Sequence, residues 1–218
     1  MELDHLAISA ATLADGAAYV ENLFGVTLAP GGVHDALGTH NRLLSLGPDL
    51  YLEVIAVNPE GRAPGRPRWF DLDRFTGAPR LTNWILRCGD LPSALEQAPD
   101  GTGSIIELQR GDLRWRMAVP ETGVLPLDGI APALIEWQDG GHPAGRLPDS
   151  GCRLTSLRVC HPDVARISRA YGAIGRTEMV EGPPALEAVF ETPKGRVLLT
   201  DRNTPAGGSD PAAIATSR

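Results

Sequence analysis

Two ionisable side chains interrupt otherwise apolar, strand-like segments and could do chemistry there. His5 lies in LDHLAIS and Glu53 lies in YLEVIAV. Side chains alternate between the two faces of a strand, so Leu6 and Ile8 share one face and His5 takes the other. A buried carboxylate without a partner costs several kcal/mol. We therefore expect a metal ion or a bound substrate to satisfy Glu53.

Glu136 is a second lone carboxylate in an apolar segment, ALIEW. Two interpretations remain open for it. It either faces the same site as His5 and Glu53, or it pairs with an arginine such as Arg114 or Arg116 on the neighbouring strand.

Three further histidines are candidates for acid–base work, because imidazole titrates near neutrality. His34 and His40 flank the turn-like segment GGVHDALGTHN, and His142 lies in the GGHPAG loop after the Glu136 strand. Each could orient a ligand or carry a proton. We take His40 and His142 as the candidate proton carriers and Glu53 as the candidate general base.

Composition excludes several classes of protein. The chain has 218 residues, of which 42% are hydrophobic and 22% charged, and a formal net charge of −7. This charge argues against nucleic acid as a partner, and no apolar run is long enough for a membrane span. The N-terminus lacks a signal-peptide pattern, so we expect a cytoplasmic protein. The usual motifs for dinucleotides, nucleoside triphosphates and serine hydrolases are absent.

The elements that must position these residues follow a β-α-β-β-β order at the start of the chain. LDHLAIS predicts a strand, and Leu13, Ala17, Val20 and Phe24 have the spacing of a helix face. Three more strands follow, at residues 26–34, 41–47 and 51–57. Residues 1–57 therefore form a first predicted unit.

The same order begins again after a connector at residues 58–80, which is rich in Pro, Gly and Arg. The second predicted unit, residues 81–140, has a strand in LTNWILRC, a short helix capped by Asp90, a pair of strands and a last strand around Glu136. We expect Trp69, in the connector, to pack against the folded units and so hold the connector in place.

A third, degenerate unit is predicted at residues 152–202, and residues 203–218 have the composition of a disordered tail. The three units open with LDHLAI, LTNWIL and LTSLRV, which align without gaps and indicate an internal repeat. The prediction is an α+β fold.

A βαβββ unit that begins with LDHLAIS and ends with YLEVIAV resembles the vicinal oxygen chelate superfamily, the group of glyoxalases, extradiol dioxygenases and bleomycin-resistance proteins. Together with GGVHDALGTHNRLLSLG, these segments resemble the glyoxalase-like domain family in particular. The resemblance implies paired βαβββ units in a curved mixed sheet around a cup, with the helices on the outer face.

The resemblance also implies where a metal would bind, at four corners on the first and last strands of two units. Here those corners are His5, Glu53, Asn83 and Glu136. His5, Glu53 and Glu136 would form a ligand set for Mn, Fe, Ni or Zn. Asn83 departs from the family pattern, because a neutral amide is a weak ligand for transition metals. A degenerate site would hold no metal.

Two functions follow from the resemblance and stay open. One is a metal-dependent lyase, isomerase or dioxygenase that acts on a small substrate with vicinal oxygens. The other is a metal-free protein that binds or sequesters a small molecule, as bleomycin-resistance proteins do. In either case we expect four side chains to line the cup: Asn41, Tyr51, Trp69 and Asn83. The third unit would pack outside the cup or pair with a second chain in a two-fold homodimer.

Overall fold

The computed structural model describes residues 1–138 and 141–201. Strand β1 (Glu2–Ser9) is followed by helix α1 (Leu13–Phe24). The Thr12 hydroxyl accepts the N–H of Asp15 and so caps the helix, and Gly25 ends it at φ 74°, where a side chain would be strained. Strands β2 (Ala29–His34), β3 (Thr39–Ser45) and β4 (Tyr51–Val57) complete the first βαβββ unit.

The second unit repeats this order. It comprises strand β5 (Arg80–Arg87), helix α2 (Leu91–Gln97) and strands β6 (Ser104–Arg110), β7 (Leu113–Val119) and β8 (Ala133–Trp137). Between the two units, a short 3-10 turn spans Trp69–Asp71.

The strands of the two units form one mixed sheet of eight strands in the order β2-β3-β4-β1-β5-β8-β7-β6. Antiparallel pairing of β1 with β5 joins the units at the centre of the sheet. The sheet is so strongly curved that its two edge strands, β2 and β6, approach each other. The side chain of Arg110, at the end of β6, lies against Gly32 of β2. A cup is thereby enclosed.

The third unit forms a separate four-stranded sheet. It contains β9 (Arg153–Cys160), helix α3 (Val164–Tyr171), β10 (Thr177–Val180), β11 (Ala185–Thr192) and β12 (Gly195–Thr200), in the strand order β10-β9-β11-β12. The sequence does not predict strand β10, because its four residues, TEMV, are too few to show an alternation of apolar and polar side chains. The rings of Phe24 and Phe190 lie 5.1 Å apart, so this sheet packs on the outer core beside α1.

The predicted α+β fold, with a curved mixed sheet around a cup, is confirmed. The predicted tail at 203–218 lies outside the described residues, and the predicted homodimer stays a prediction. In the described part of the chain, no helix has the length and apolar character needed to cross a membrane.

Candidate functional site

His5 faces the cup, as strand alternation predicts. Its imidazole is buried and stacks on the ring of Tyr51, with the centroids 4.4 Å apart and the planes at 13°. Nδ1 donates a hydrogen bond of 2.6 Å to Oδ1 of Asp4, and Nε2 lies 3.6 Å from Oε2 of Glu53. Burial lowers the pKa of His5, but the bonds and charges of the two carboxylates outweigh it and raise the pKa.

Asp4 is the partner that the sequence did not reveal. The register of β1 against β5 shifts between Leu3 and His5, and this irregularity lets the Asp4 carboxylate turn into the cup beside His5. Its Oδ2 accepts a bond of 2.9 Å from Nε1 of Trp137 and one of 3.0 Å from Nε2 of His142. Burial raises the pKa of Asp4, but the bonds to His142 and His5 hold it well below its usual range.

Glu53 is buried in β4 beside His5, where alternation predicts it. Its Oε1 accepts a hydrogen bond of 2.5 Å from the amide of Asn41. Burial raises the pKa of Glu53, but the neighbouring His5 and the Asn41 amide lower it overall. The pair of His5 and Glu53 is therefore an imidazolium beside a carboxylate at neutral pH.

Asn41 connects the two units of the sheet. Its Oδ1 accepts bonds of 2.8 Å from the N–H of Gly32 and 3.0 Å from Nη1 of Arg110. These two donors fix the amide so that Nδ2 points at Glu53. A Cβ at residue 31 would lie 2.1 Å from Oδ1 of Asn41, so only glycine fits at Gly31.

His34 also lines the cup, but in a neutral state. Its Nδ1 lies 2.9 Å from the Thr39 hydroxyl, and its Nε2 lies 3.4 Å from the Asn41 amide nitrogen. Nε2 must accept from that amide, so Nδ1 carries the proton. Burial lowers the pKa of His34 to about 4. Its ring meets the edges of Trp69 and Trp115, with centroids 5.1 and 6.0 Å away.

These side chains line a small cavity whose two halves differ in chemistry. The strands of the first unit supply its ionisable and amide groups, whereas β7 and β8 supply apolar walls. These walls are Trp115, Met117, Ile135 and Trp137. Arg110, at the end of β6, and Trp69 and Phe70, from the connector, complete the lining.

Glu136 does not line the cup, which excludes one of the two interpretations that the sequence leaves open for it. Trp137 faces the cavity, so Glu136 points to the opposite face of β8. There it accepts 2.6 and 2.8 Å bonds from Nη2 of its cross-strand partner Arg116, and a 2.9 Å bond from the N–H of Leu91 at the start of α2. The arginine pairing that the sequence left open is the arrangement found.

Three other residues that the sequence suggests for the site do not line the cavity that contains His5. His40 is opposite Ala56 in the β3–β4 pair, on the other face from Asn41, and it does not line the cavity. Asn83 faces the cup opposite Ala7, but it lines a different cavity from His5. His142 is brought to the site through its bond to Asp4. Trp69 and Tyr51 line the cavity, as expected.

The donor set does not fit a resident divalent metal ion. Within residues 1–138 and 141–201, no group of three or more His, Cys, Asp or Glu side chains could hold one. His5 and Glu53 are two candidate ligands, but the Asn41 amide already bonds one Glu53 oxygen. At the second unit's corners, Glu136 faces away and Asn83 lies in another cavity. Catalytic zinc sites, by comparison, have three protein ligands.

Comparisons with known proteins agree with this architecture. The model of a family described as the glyoxalase-like domain matches residues 3–175. A hypothetical protein from Staphylococcus aureus has a similar structure, with a TM-score of 0.58 and 13% identity over 91% of this chain and 84% of the other. Methylmalonyl-CoA epimerase from Mycobacterium tuberculosis matches with a TM-score of 0.40 and 18% identity, over 62% and 85% of the two chains. No curated protein matches the sequence.

Proposed function

The chain belongs to the glyoxalase-like domain family, and from this premise we propose that it binds a small, oxygen-rich organic anion in its cup without a resident metal ion. In this proposal the ligand's oxygens are held by protein donors in place of a metal. The rest of the ligand packs on the aromatic and aliphatic wall of the second unit.

The observation that carries the proposal is an unpaired donor on a side chain that lines the cavity. The indole N–H of Trp69 is buried and has no hydrogen-bond partner in the part of the chain that the structure describes. Nearly all buried polar groups in proteins are hydrogen-bonded, so an unpaired donor on a side chain of the cavity wall favours a ligand with an acceptor. A carboxylate or carbonyl oxygen would supply it.

Arg110 supports an anionic ligand. Its guanidinium is partly buried at the cavity, where it donates a hydrogen bond to the neutral amide of Asn41. Across residues 1–138 and 141–201, Arg110 forms no ion pair, so its charge is available to an anionic ligand. A planar carboxylate could bind the guanidinium in a bidentate manner.

A second candidate function is proton transfer on the same ligand, and the Asp4–His5–Glu53 series of contacts favours it. Glu53 would take a proton from a carbon next to the ligand's carbonyl. The C–H electron pair would move to the carbonyl oxygen, and Arg110 would stabilise the resulting enolate. The lowered pKa of Glu53 makes this carboxylate a weak base, so we place binding first.

Phenylglyoxylate is a suitable probe, because it carries vicinal oxygens, a carboxylate and an apolar ring. Tryptophan fluorescence should report its binding, since three of the cavity-lining side chains are Trp69, Trp115 and Trp137. We expect Arg110→Met to weaken binding by about tenfold or more, the effect of a lost charge-assisted hydrogen bond. Arg114→Met, on the exposed side of the same hairpin, is the matched control and should bind as the wild type does.

A measurement of bound metal distinguishes this metal-free proposal from the metal-dependent enzyme that the resemblance also implies. The protein should bind phenylglyoxylate equally well with and without a chelator. Mass spectrometry after incubation with Mn, Fe, Ni or Zn should find no stoichiometric metal in the wild type or in Glu53→Gln. Stoichiometric metal that Glu53→Gln abolishes would overturn the proposal. Exchange of the α-protons of pyruvate with deuterium, dependent on Glu53, would establish the proton-transfer function instead.

A further inference from the structure

A second cavity, of about 210 Å³, lies on the other side of Phe70 from the one that contains His5. Phe70 lines both cavities. The remaining walls of the second cavity come from the start of β5, from residues 71–75, from the loop at residues 124–130 and from Asp201. No residue of the acid–base group in the first cavity borders the second.

Asn83 is the polar side chain buried in the wall of this second cavity. Only 5% of it is exposed, and its Oδ1 has no hydrogen-bond partner in the described residues. Its cross-strand neighbour is Ala7, which offers no side-chain donor. An unpaired amide oxygen in the interior is costly, and a ligand that donates a hydrogen bond would remove the cost.

Phe70 separates the two cavities because the backbone holds it in an unusual conformation. Its φ is 57° and that of Asp71 is 55°, in the left-handed region that residues with side chains rarely adopt. The N–H of Asp71 bonds the carbonyl of Gly123, and the ring of Phe70 stacks on that of Trp69 at 5.4 Å. These contacts keep the aromatic ring between Asn83 and the His5 cavity.

The charged side chains beside the second cavity already have partners. Arg74 pairs with Asp71 at 2.7 Å, and Asp128 pairs with His161 at 3.1 Å. Arg80 donates to the carbonyl of Thr76 and lies over the ring of Phe75. The amide oxygen of Asn83 therefore still needs a hydrogen-bond donor.

We propose that the cavity at Asn83 is a second ligand site, which takes a molecule with an amide N–H or a hydroxyl group next to an apolar part. The donor binds Oδ1 of Asn83, and the apolar part packs on Phe70 and Leu125. This site is independent of the anion site proposed at Arg110 and Trp69, so either proposal can fail without the other.

Benzamide and acetophenone test this proposal, because they have similar size and only benzamide has a donor. In ¹⁵N-labelled protein, benzamide should shift the side-chain amide signals of Asn83 and bind at least tenfold more tightly than acetophenone. Asn83→Leu and Asn83→Ala should both lose this preference. Asn22→Leu, at an exposed position on α1, is the matched control and should retain it. Equal binding of the two probes, or no shift at Asn83, would overturn the proposal.

Thermal unfolding gives a second readout. Because Oδ1 makes no bond within the described residues and leucine retains the buried volume, Asn83→Leu should leave the melting temperature unchanged or raise it by a few degrees. A clear fall would show that the amide is satisfied by the protein and would overturn the proposal. Phenylglyoxylate should bind the Asn83 variants as it binds the wild type, which keeps the two sites distinguishable.

Discussion

The carboxylate of Asp4 turns back onto the imidazole of the next residue, and its Oδ1 lies 2.6 Å from Nδ1 of His5. Adjacent residues of a regular strand point to opposite faces, so this contact depends on the register shift in β1. The bond fixes the His5 ring with Nε2 towards Glu53. Asp4 thereby determines both the orientation and the charge of the imidazole at the site.

Replacing Asp4 should change the titration of His5. In Asp4→Asn we expect the pKa of His5 to fall from about 9 by one unit or more, because a charge and a charge-assisted bond that favour the imidazolium are lost. An NMR titration of the histidine rings measures this. Asp112→Asn, which removes an exposed partner of Arg146, is the control. A His5 pKa unaffected by Asp4→Asn would contradict the assigned role.

His5 should also make the protein more stable at neutral than at alkaline pH. Its pKa is raised from 6.5 to about 9, so its stabilising effect is complete below about pH 6.5 and is lost as the pH rises through 9. Urea unfolding at pH 6 to 10 should show this fall in the wild type. His5→Gln, which cannot titrate, should flatten it, and an equally steep fall in the variant would refute the assignment.

His34 should act in the opposite direction on the acid side. Burial lowers its pKa from 6.5 to about 4, so the folded protein resists protonation of this ring. Its contribution to stability is complete above about pH 6.5 and is lost as the pH falls through 4. His34→Gln should therefore reduce the loss of stability between pH 6.5 and 4 in urea unfolding. The same loss in the variant would indicate that other groups control it.

The two glycines of β2 should be essential for the position of Asn41. A Cβ at residue 31 would lie 2.1 Å from Oδ1 of Asn41, so Gly31→Ala should displace this amide and cost about 1–3 kcal/mol of unfolding free energy. It should also weaken phenylglyoxylate binding. Gly89→Ala, where a new Cβ meets nothing within 4 Å, is the control. Gly31→Ala with wild-type stability would show that the strand adapts without loss.

Glu136 should matter for stability and not for the ligand. It bonds Arg116 and the N–H of Leu91 on the outer face, so Glu136→Gln should lower the unfolding free energy by about 1 kcal/mol. Phenylglyoxylate affinity should be unchanged, whereas Glu53→Gln should alter it. Chemical denaturation and fluorescence titration of both variants make the comparison. A change of affinity in Glu136→Gln would mean that this carboxylate reaches the cup.

The sequence by itself determined the repeated β-α-β-β-β order and the cup-facing positions of His5 and Glu53. Both depend on local rules, since the apolar spacing of a segment sets its type and alternation sets the face of each side chain. The same rules found β4 to the residue, at Tyr51–Val57.

Only the tertiary structure decided the rest of the site. The irregular pairing of β1 with β5 brings Asp4 to His5, and cross-strand pairing with Arg116 takes Glu136 to the outer face. Curling of the sheet brings Arg110 to Asn41, which is 69 positions away in the chain. Strand register and sheet curvature arise from contacts between distant segments. For this reason a pattern read along one segment contains no information about them.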